Sequence, residues 1–447
     1  MTVLEQLAER NVSQRERPLS PAVRQRLAIH VLDTVGAWIA GRASDDGAKL
    51  SSLESASKIK VSLLGNAPLD RIALGVATVR LTEIDDIHMG SCTTPSSVVV
   101  PTCLTIIASS KKSDTNSFAQ ALHAGYELMT RFGAAVDGPE IVYRGVWPTF
   151  LAAPLVAAGV TARILGFDAV KTANAFAIAL SLTSGALGTP IGQSPRWLLL
   201  GLAARNGCAA ALMANEGYVS DHTLLDGDWL MRTHGISCDA AALLSDRLDS
   251  DAINSISLKP YRCAKQCVAA IQAFRDVLDH GVAIEEIETV RVRVPRAYAA
   301  MIGHRQAADG RIRRITSAAY NLAVAAYRPI ELSDISRFDQ TADPRIAAFM
   351  NCIEVQPDDE LAQHYPQRWP ARVDVTLKNG ESISSTVLDA AGDPAKPFDA
   401  AEALAKFRHL TAVPLAGSTT FNIAQACLAS IEQLDALKNL WSWLSER

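Results

Sequence analysis

The sequence predicts a mostly α-helical protein in which a large all-helical domain is interrupted by a smaller α+β lid domain. Three observations lead to this fold class. Apolar residues recur at helical spacing up to about residue 280, short alternating stretches follow, and helical spacing returns after Pro397. The expected division is residues 1–267 for the first part of the helical domain, 268–398 for the lid and 399–447 for the helical tail.

Helices are predicted from start signals and from apolar spacing. Ser20 followed by Pro21 is typical of a helix start, because the serine caps free N–H groups and proline is tolerated in the first turn. The apolar residues that follow at four-residue spacing are Val23, Leu27, Val31, Val35 and Ile39. Further helices, most of them rich in alanine, are predicted over residues 98–108, 150–165, 168–182 and 197–216.

Two stretches predict strands. Residues 288–295 alternate apolar and polar, and residues 372–387 do so on both sides of Asn379-Gly380, a pair typical of tight hairpin turns. Because helical spacing lies between them at 317–327 and 344–352, this region is expected to be a small α+β domain. The tail ends in a helical pattern formed by Leu434, Leu437, Leu440 and Trp441.

Length and charge limit the classes of function. The chain has 447 residues, which predicts two or three domains, and a net charge of -4 from 43 basic and 47 acidic residues. Because no long run of one sign occurs, neither nucleic acid nor a membrane surface is expected as a partner. The first 20 residues hold no continuous apolar stretch, and the stretch 147–165 is broken by Pro148, Pro154 and Arg163. These features predict a cytoplasmic protein without a transmembrane span.

The sequence contains no recognisable motif for a metal or an organic cofactor. Cys263 and Cys267 are the closest of the eight cysteines, but no second pair of cysteines or histidines accompanies them, as a zinc site requires. Dinucleotide, phosphate-loop, zinc-protease and serine-hydrolase motifs are also absent. We therefore expect neither a metal nor an organic cofactor.

Polar residues interrupt the apolar pattern in four places, of which the first is the segment 83–96. Asp85 and Asp86 precede His88, and neighbouring carboxylates can adjust the pKa of a general base. The helix expected after Thr94-Pro95-Ser96 presents free N–H groups suited to a substrate carboxylate. A capped loop without catalytic function is an equally good interpretation of this segment alone.

The second place contains Tyr143, Arg144 and Trp147, and the third, residues 193–197, contains Arg196. Each sets an arginine near an aromatic residue where a helix is expected to begin. Two arginines can hold a dicarboxylate through parallel hydrogen bonds. Either arginine alone is more simply explained as a structural surface residue. The two together indicate a binding site only if the fold brings them to the same place.

The fourth place is the segment Lys259–Cys267, which includes Tyr261, Arg262 and Lys265. It falls near the expected junction of the two domains, and ligand sites are common at such junctions. A hinge with solvated basic residues is the simpler alternative.

In their order along the chain these motifs resemble the MmgE/PrpD family, which includes 2-methylcitrate dehydratase and cis-aconitate decarboxylase. The resemblance covers nearly the whole chain. It implies a helical domain formed by both ends of the chain, an inserted α+β lid, an active site between the domains and a homodimer. The matching positions are Ile84-Asp85-Asp86, Thr94-Pro95-Ser96, Trp147-Pro148, Arg196, Lys259-Pro260-Tyr261 and Tyr320.

The chain departs from the family pattern at the histidines expected of dehydratases and decarboxylases. The family's His-Pro-Ser appears as Thr94-Pro95-Ser96, and the histidine before the second proline is Trp147. The family lysine is Arg196, the third histidine is absent near Lys265, and His88 is additional. Losing three imidazoles removes the usual proton donors for dehydration or decarboxylation. Within the family the chain is most similar to epimerases of iminodisuccinate, a secondary amine with two succinate arms.

The expected activity is therefore a cofactor-independent epimerisation that exchanges the α-proton of an amino or imino polycarboxylate. Cations must neutralise the charge that develops on the adjacent carboxylate. The catalytic candidates are His88, Lys265, Tyr143, Tyr320 and Asp86. The substrate-binding candidates are Asp85, Thr94, Ser96, Arg144, Trp147, Arg196, Tyr261 and Arg262.

Among these candidates, His88 and Lys265 are the first pair to consider for the two faces of the carbon, with Asp85 or Asp86 orienting His88. Tyr143 and Tyr320 are the alternative donors. Two other activities stay open. One is a dehydratase or decarboxylase of a citrate-like tricarboxylate, and the other is a non-catalytic helical binding protein.

Overall fold

The computed structural model of the chain divides into two compact units. Among the described residues, the first unit contains the chain up to Ile256 and from Asp399 onward, and the second contains Ser257–Phe398. Both are rich in helix, so the prediction of a mostly α protein is confirmed. The structure describes residues 1–53, 67–110, 114–184, 195–245, 251–304, 310–335 and 343–445.

The first unit begins with twelve helices in the part of the chain that the structure describes. The predicted start at Ser20 is confirmed, since its hydroxyl accepts the backbone N–H of Val23 at 3.3 Å. The helices are α1 Val3–Ser13, α2 Pro21–Arg42, α3 Asp45–Ser51, α4 Pro68–Arg80, α5 Ser96–Ser109, α6 Thr115–Ala135, α7 Gly138–Ile141, α8 Pro148–Leu165, α9 Ala169–Ser181, α10 Pro195–Asn215, α11 Trp229–His234 and α12 Ala240–Leu244.

Helix α10 packs closely against α4 and α8 because glycines face them. A Cβ atom at Gly201 would overlap the carbonyl oxygen of Ala73 in α4, and one at Gly207 would overlap that of Pro154 in α8. The three helices therefore approach to backbone contact. Arg80 is the last residue of α4, Trp147 immediately precedes α8, and Arg196 lies in the first turn of α10.

Helices α8 and α10 are long and apolar enough to cross a membrane by length and composition alone. In their most apolar windows, 94% of the residues of α8 and 56% of those of α10 are buried inside the protein. Core helices of globular proteins commonly have this composition. The length and composition of these two helices are therefore only weak evidence that the protein crosses a membrane.

The second unit combines helices with one four-stranded sheet among its described residues. The order of strands in the sheet is β2-β1-β3-β4, with β1 parallel to β2 and the other two pairs antiparallel. The hairpin predicted at Asn379-Gly380 joins β3 and β4. The elements are α13 Lys265–Asp279, β1 Ile287–Val294, α14 Arg296–Ile302, α15 Arg311–Thr316, α16 Ala318–Tyr327, α17 Pro344–Met350, β2 Ile353–Pro357, α18 Asp359–Ala362, β3 Ala371–Leu377 and β4 Ser382–Val387.

Three helices end the chain and belong to the first unit, namely α19 Ala400–Thr411, α20 Gly417–Ala429 and α21 Leu434–Ser445. Asp399 and Glu402 form a reciprocal capping box at the start of α19, which fixes where this helix begins. Helices α19 and α20 both pack on α2. The C-terminal helices α19 and α20 thus contact a helix from the beginning of the chain.

Candidate functional site

The loop between α4 and α5, residues 81–95, carries polar side chains into the interior of the first unit. Asp85 and Asp86 are fully buried, and Glu83 is nearly so. The backbone of Glu83 is left-handed, with φ of 58°, a conformation that costs free energy for a residue with a side chain. Buried carboxylates need charged or hydrogen-bonding partners, and each of these three has them.

Asp86 is hydrogen-bonded at both of its oxygens. Oδ1 accepts the backbone N–H of Ser96 at 3.0 Å, and Oδ2 lies 3.1 Å from Nδ1 of His30. Burial, together with the charge of Arg26, lowers the pKa of His30 well below its usual value, so the imidazole is neutral. Because the carboxylate can only accept, Nδ1 carries the proton. The hydroxyl of Tyr126 lies 3.3 Å from the same nitrogen, and burial raises the pKa of this tyrosine.

Asp85 faces a different partner, Arg80. Nη1 of Arg80 lies 3.1 Å from Oδ1 of Asp85 and 2.6 Å from Oε2 of Glu83. The other oxygen of Glu83 accepts the indole N–H of Trp197 at 3.0 Å. The guanidinium of Arg80 is therefore neutralised by two buried carboxylates of its own loop.

Two arginines face the ring system of Trp147. The guanidinium carbon of Arg196 is 4.7 Å from the centre of this ring system, and that of Arg80 is 5.3 Å away. Burial lowers the pKa of Arg196, although arginine remains charged at any physiological pH. Its Nε is buried and has no hydrogen-bond partner among the described residues. Arg196 is thus a half-buried cation whose buried Nε has an N–H to offer an anionic ligand. We call Arg80, Trp147 and Arg196 the arginine–tryptophan cluster.

Thr94 and Ser96 lie at the start of α5. The backbone N–H of Thr94 donates to Oγ1 of Thr149 at 3.0 Å, and the two hydroxyls are 3.2 Å apart. The Ser96 hydroxyl is buried without a partner among the residues described. Of these two residues, Ser96 therefore has the hydroxyl that is left to contact a ligand.

His88 has a different environment from the one expected. Its Nδ1 is 2.8 Å from the hydroxyl of Ser91, which is itself 2.7 Å from Oγ1 of Thr93. Asp86 points to His30 instead, so a serine takes the orienting position that we expected for a carboxylate. Burial lowers the pKa of His88 to about 4.

His88 also lines a cavity of about 680 Å³ in the first unit. Neither Arg196 nor Trp147 contributes to its wall, so His88 and the arginine–tryptophan cluster do not share this cavity. The other residues of the wall are Thr130, Arg131, Ala134, Asp239, Ala241, Ala242, Ser245, Ala252 and Ser255.

The predicted pair Tyr143 and Arg144 lies nearer the surface. Tyr143 is half-buried and Arg144 is exposed. Nη2 of Arg144 donates to the carbonyl oxygen of Gly235 at 2.9 Å. Trp147, the nearby aromatic residue, faces Arg80 and Arg196 and not Arg144. Residues 193 and 194 of the third predicted segment lie outside the described part of the chain.

Lys265 belongs to the second unit and forms a buried ion pair. Its Nζ lies 2.6 Å from Oδ1 of Asp393, and both side chains are 2% exposed. Oδ1 of Asp393 also accepts the Ser257 hydroxyl at 2.8 Å, and Oδ2 accepts the N–H of Ala390 at 2.9 Å. The ammonium of Lys265 is therefore held in one place by a carboxylate that is itself fixed.

The other three candidates of the second unit differ in burial. Tyr261 accepts a hydrogen bond from Nη1 of Arg275 at 3.0 Å, and burial raises the pKa of this tyrosine. Arg262 is fully buried, and its backbone N–H donates to the carbonyl of Leu332. Tyr320 is half-buried in α16.

One group of potential metal ligands occurs in the described parts of the chain, formed by His123, Glu127 and Asp251. Internal contacts account for it: Nε2 of His123 lies 2.8 Å from Oδ1 of Asp251. Glu127 accepts the N–H of Ala252 at 2.6 Å through one oxygen and Nε of Arg131 at 3.1 Å through the other. A cation here would compete with the guanidinium, so we assign these residues to hydrogen bonding.

Sequence reasoning missed several residues that surround the predicted loop. His30 and Asp33 lie on α2 among apolar residues, Tyr126 lies on α6, and Lys406 lies on α19. The available signal was the three-residue step from His30 to Asp33 in a helix that is otherwise apolar over this stretch, since buried polar groups need partners. The partners themselves are distant in sequence and gave no local signal.

Family models for the MmgE/PrpD N-terminal domain and the MmgE/PrpD C-terminal domain match residues 5–235 and 261–430. The chain belongs to the MmgE/PrpD family. A curated relative, the cis-aconitate decarboxylase-like protein oryM of Aspergillus oryzae, is 27% identical over 154 residues. This match spans 33% of the present chain and 32% of the relative, about a third of each. The family resemblance inferred from motifs is thus confirmed, and the chain is related to enzymes of this family.

Proposed function

We propose that this MmgE/PrpD protein is a cofactor-independent epimerase that exchanges the α-proton of an amino or imino polycarboxylate such as iminodisuccinate. The observation that carries the proposal is Arg196. Its half-buried guanidinium faces Trp147 and its buried Nε hydrogen-bonds none of the described residues, whereas the neighbouring Arg80 is neutralised by carboxylates. A carboxylate ligand would supply the partner that Arg196 lacks.

The chemistry needs such a cation. Removing a proton from a carbon next to a carboxylate places negative charge on that carboxylate, and a fixed guanidinium stabilises this charge without reorganising. Stacking on Trp147 holds the plane of Arg196, so its two parallel N–H groups are oriented before the substrate binds. Arg196 would thus bind the carboxylate and lower the barrier to loss of the α-proton.

His88 is our first candidate for the base, a role that requires the substrate to extend from Arg196 to the cavity lined by His88, because neither Arg196 nor Trp147 contributes to the wall of that cavity. Its depressed pKa keeps the imidazole neutral near pH 7, so it can accept a proton at once. A base with so low a pKa is weak in the free enzyme, but the charge of a bound polycarboxylate nearby would raise its pKa. Lys265, Tyr143, Tyr320 and Asp86 stay candidates for the second proton transfer.

The residues at the positions of the family histidines also favour epimerisation. Thr94 and Trp147 cannot transfer a proton to a leaving hydroxide near neutral pH, whereas epimerisation expels no group. The chain thus keeps cations for binding carboxylates and lacks the acids that a dehydratase needs at these two positions.

The test is an exchange experiment in heavy water with stereopure iminodisuccinate. Optical rotation and the α-proton signal in the NMR spectrum are followed together. We expect deuterium to enter the α-position as the rotation changes, and we expect Arg196→Met to stop both. Exchange without any change in rotation, or no exchange at all, would contradict an epimerase.

A lyase is the second candidate, favoured by the name of the curated relative, which is cis-aconitate decarboxylase-like. Dehydration of a citrate-like hydroxy acid would produce new absorbance from a carbon–carbon double bond, and decarboxylation would release carbon dioxide. Either signal, with no change in the rotation of iminodisuccinate, would favour the lyase. Binding of polycarboxylates without any turnover would instead favour a non-catalytic binding protein.

We also propose that the protein is a homodimer, as the family resemblance suggests, and that it is located in the cytoplasm. Light scattering during size-exclusion chromatography tests the first point, and cell fractionation tests the second. A monomer, or protein found only in membranes, would contradict them.

A further inference from the structure

A lysine from the C-terminal tail reaches the loop that carries Asp85. Nζ of Lys406, on α19, donates to the carbonyl oxygen of Ile84 at 2.9 Å and lies 2.6 Å from Oδ1 of Asp33 on α2. The Lys406 side chain is 7% exposed and that of Asp33 is 1% exposed. Breaking an ion pair so well buried is costly, because it leaves an uncompensated charge in the interior. The carbonyl of Ile84 is therefore tied to both α2 and α19.

Two positions further along, the same loop is tied again. Asp86 is hydrogen-bonded to Ser96 at the start of α5 and to His30 of α2. His30 and Asp33 lie three residues apart on α2, so they occupy neighbouring positions on one face of this helix. One face of α2 thus fixes the loop at two points. Asp33 holds the Ile84 carbonyl through Lys406, and His30 holds the Asp86 carboxylate.

The residue between these two anchors is Asp85, and it points elsewhere. Its carboxylate contacts Arg80, which stacks on the Trp147 ring that Arg196 also faces. A displacement of the backbone at Ile84 or Asp86 would move Asp85 and, through it, the guanidinium of Arg80.

We propose that Lys406 and His30 are positioning residues that hold the loop so that Asp85 and Arg80 keep the arginine–tryptophan cluster in its binding geometry. Only the kinetic consequences of this role rest on the proposed function. Lys406 has this role because it hydrogen-bonds a loop carbonyl in addition to forming an ion pair with Asp33. An ion pair that merely joined α19 to α2 would not need that second contact.

The test uses the double variant Asp33→Asn with Lys406→Met. Lys406→Met alone would leave a buried, uncompensated carboxylate and could unfold the protein, whereas the double variant removes both charges. The matched control is Arg24→Met. Arg24 also joins α2 to the C-terminal region, through Glu432 at 2.6 Å and the carbonyl of Ile431 at 2.7 Å, but has no contact with the loop.

The first measurement is hydrogen–deuterium exchange of peptides covering residues 82–96, which needs no substrate. We expect exchange in these peptides to accelerate by about tenfold or more in the double variant, because the loop opens more often when a carbonyl contact is lost. Exchange there should stay at the wild-type rate in Arg24→Met. Equal exchange in all three proteins would overturn the positioning role, whatever the enzyme's reaction proves to be.

The second measurement is steady-state kinetics on iminodisuccinate. Misplacing the cluster should lower kcat by about tenfold or more while changing KM less, since alignment matters most in the transition state. A purely structural role predicts a lower melting temperature with unchanged kcat for the folded enzyme. If wild-type protein has no activity on this substrate, the proposed function fails, while the exchange experiment still decides the positioning role.

His30 is tested by a pair of substitutions. The amide of His30→Asn can replace the Nδ1 donor, whereas His30→Leu has no donor for Asp86. We expect His30→Asn to keep slow exchange in residues 82–96 and most of kcat, and His30→Leu to lose both. The same result for the two variants would contradict a role through the Asp86 hydrogen bond.

Discussion

The guanidinium carbon of Arg196 lies 4.7 Å from the centre of the Trp147 ring system, whose other neighbour is Arg80 at 5.3 Å. The two arginines differ in what they can bind. Arg80 is held by Asp85 and Glu83, and removing it would leave two buried carboxylates uncompensated. Arg196 forms no ion pair with a carboxylate among the residues described, although the charge of Glu83 is near it, so changing it tests ligand binding more cleanly.

Arg196→Met is expected to weaken binding of a polycarboxylate by about 10- to 100-fold, because a charge-assisted hydrogen-bonded pair is lost. Isothermal titration calorimetry with the substrate or a slow analogue measures the effect. Arg205→Met is the control, since Arg205 lies on the same helix and pairs with Asp70 at 2.8 Å. Equal affinities for wild-type protein and Arg196→Met would remove this residue from the binding site.

Trp147→Phe should bind the substrate nearly as well as wild-type protein, whereas Trp147→Leu should bind about 3- to 30-fold more weakly. Phenylalanine keeps an aromatic face for the Arg196 guanidinium, and leucine does not. The comparison is made by calorimetry, with melting temperatures to show that both variants are folded. If the two substitutions have the same effect on affinity, stacking has no part in binding.

The low pKa of His88 predicts a loss of stability in acid. The folded pKa of about 4 lies below the unfolded value near 6.5, so the unfolded chain takes up the proton first. The stabilising contribution is present above about pH 6.5 and declines as the pH falls toward about 4. Between about pH 7 and pH 5, wild-type protein should lose about 2 kcal/mol more of its free energy of unfolding than His88→Gln. Urea unfolding at the two pH values measures this difference, and parallel losses would contradict the depressed pKa.

Turnover should also depend on His88. We expect His88→Ala to lower kcat by about 100-fold or more and to leave the fold intact, because the proposed base is lost. Circular dichroism checks the fold, and the heavy-water exchange assay gives the rate. Near-normal exchange in this variant would exclude His88 as the base.

Lys265→Met is expected to destabilise the protein by about 3–5 kcal/mol, because it leaves Asp393 buried without its cation. Adding Asp393→Asn should recover most of this loss. If Lys265 also transfers a proton, turnover in the double variant should remain about 100-fold or more below wild type despite the recovered stability. Recovery of both stability and turnover would limit Lys265 to a structural role. The measurements are chemical unfolding and the exchange assay.

The parts of the fold that local signals determine were predictable. The cap at Ser20 and the hairpin at Asn379-Gly380 are encoded in a few adjacent residues, and the structure confirms both. Strand β2, residues 353–357, was not predicted. It pairs in parallel with β1, some sixty residues earlier in the chain, and a short parallel strand has no turn signal of its own.

The candidate site was predictable only where its residues cluster in sequence. Asp85, Asp86 and Arg196 were found because they interrupt apolar stretches, and the structure links Asp85 to Arg196 through Arg80 and Trp147. The orientation of His88 was not predictable, because Asp86 could equally face His30, which is 56 residues away in sequence. Lys406 was not predicted, because the residue that it contacts, Ile84, lies more than 300 positions away in the sequence.

The glycine contacts of α10 have a consequence for altering the protein. Arg80, Trp147 and Arg196 stand at the ends of three helices whose separation is set at Gly201 and Gly207, about one and three turns from Arg196. A single methyl group at either glycine would force these helices apart. A substitution at either glycine would therefore change the spacing within the arginine–tryptophan cluster without exchanging any of its three side chains.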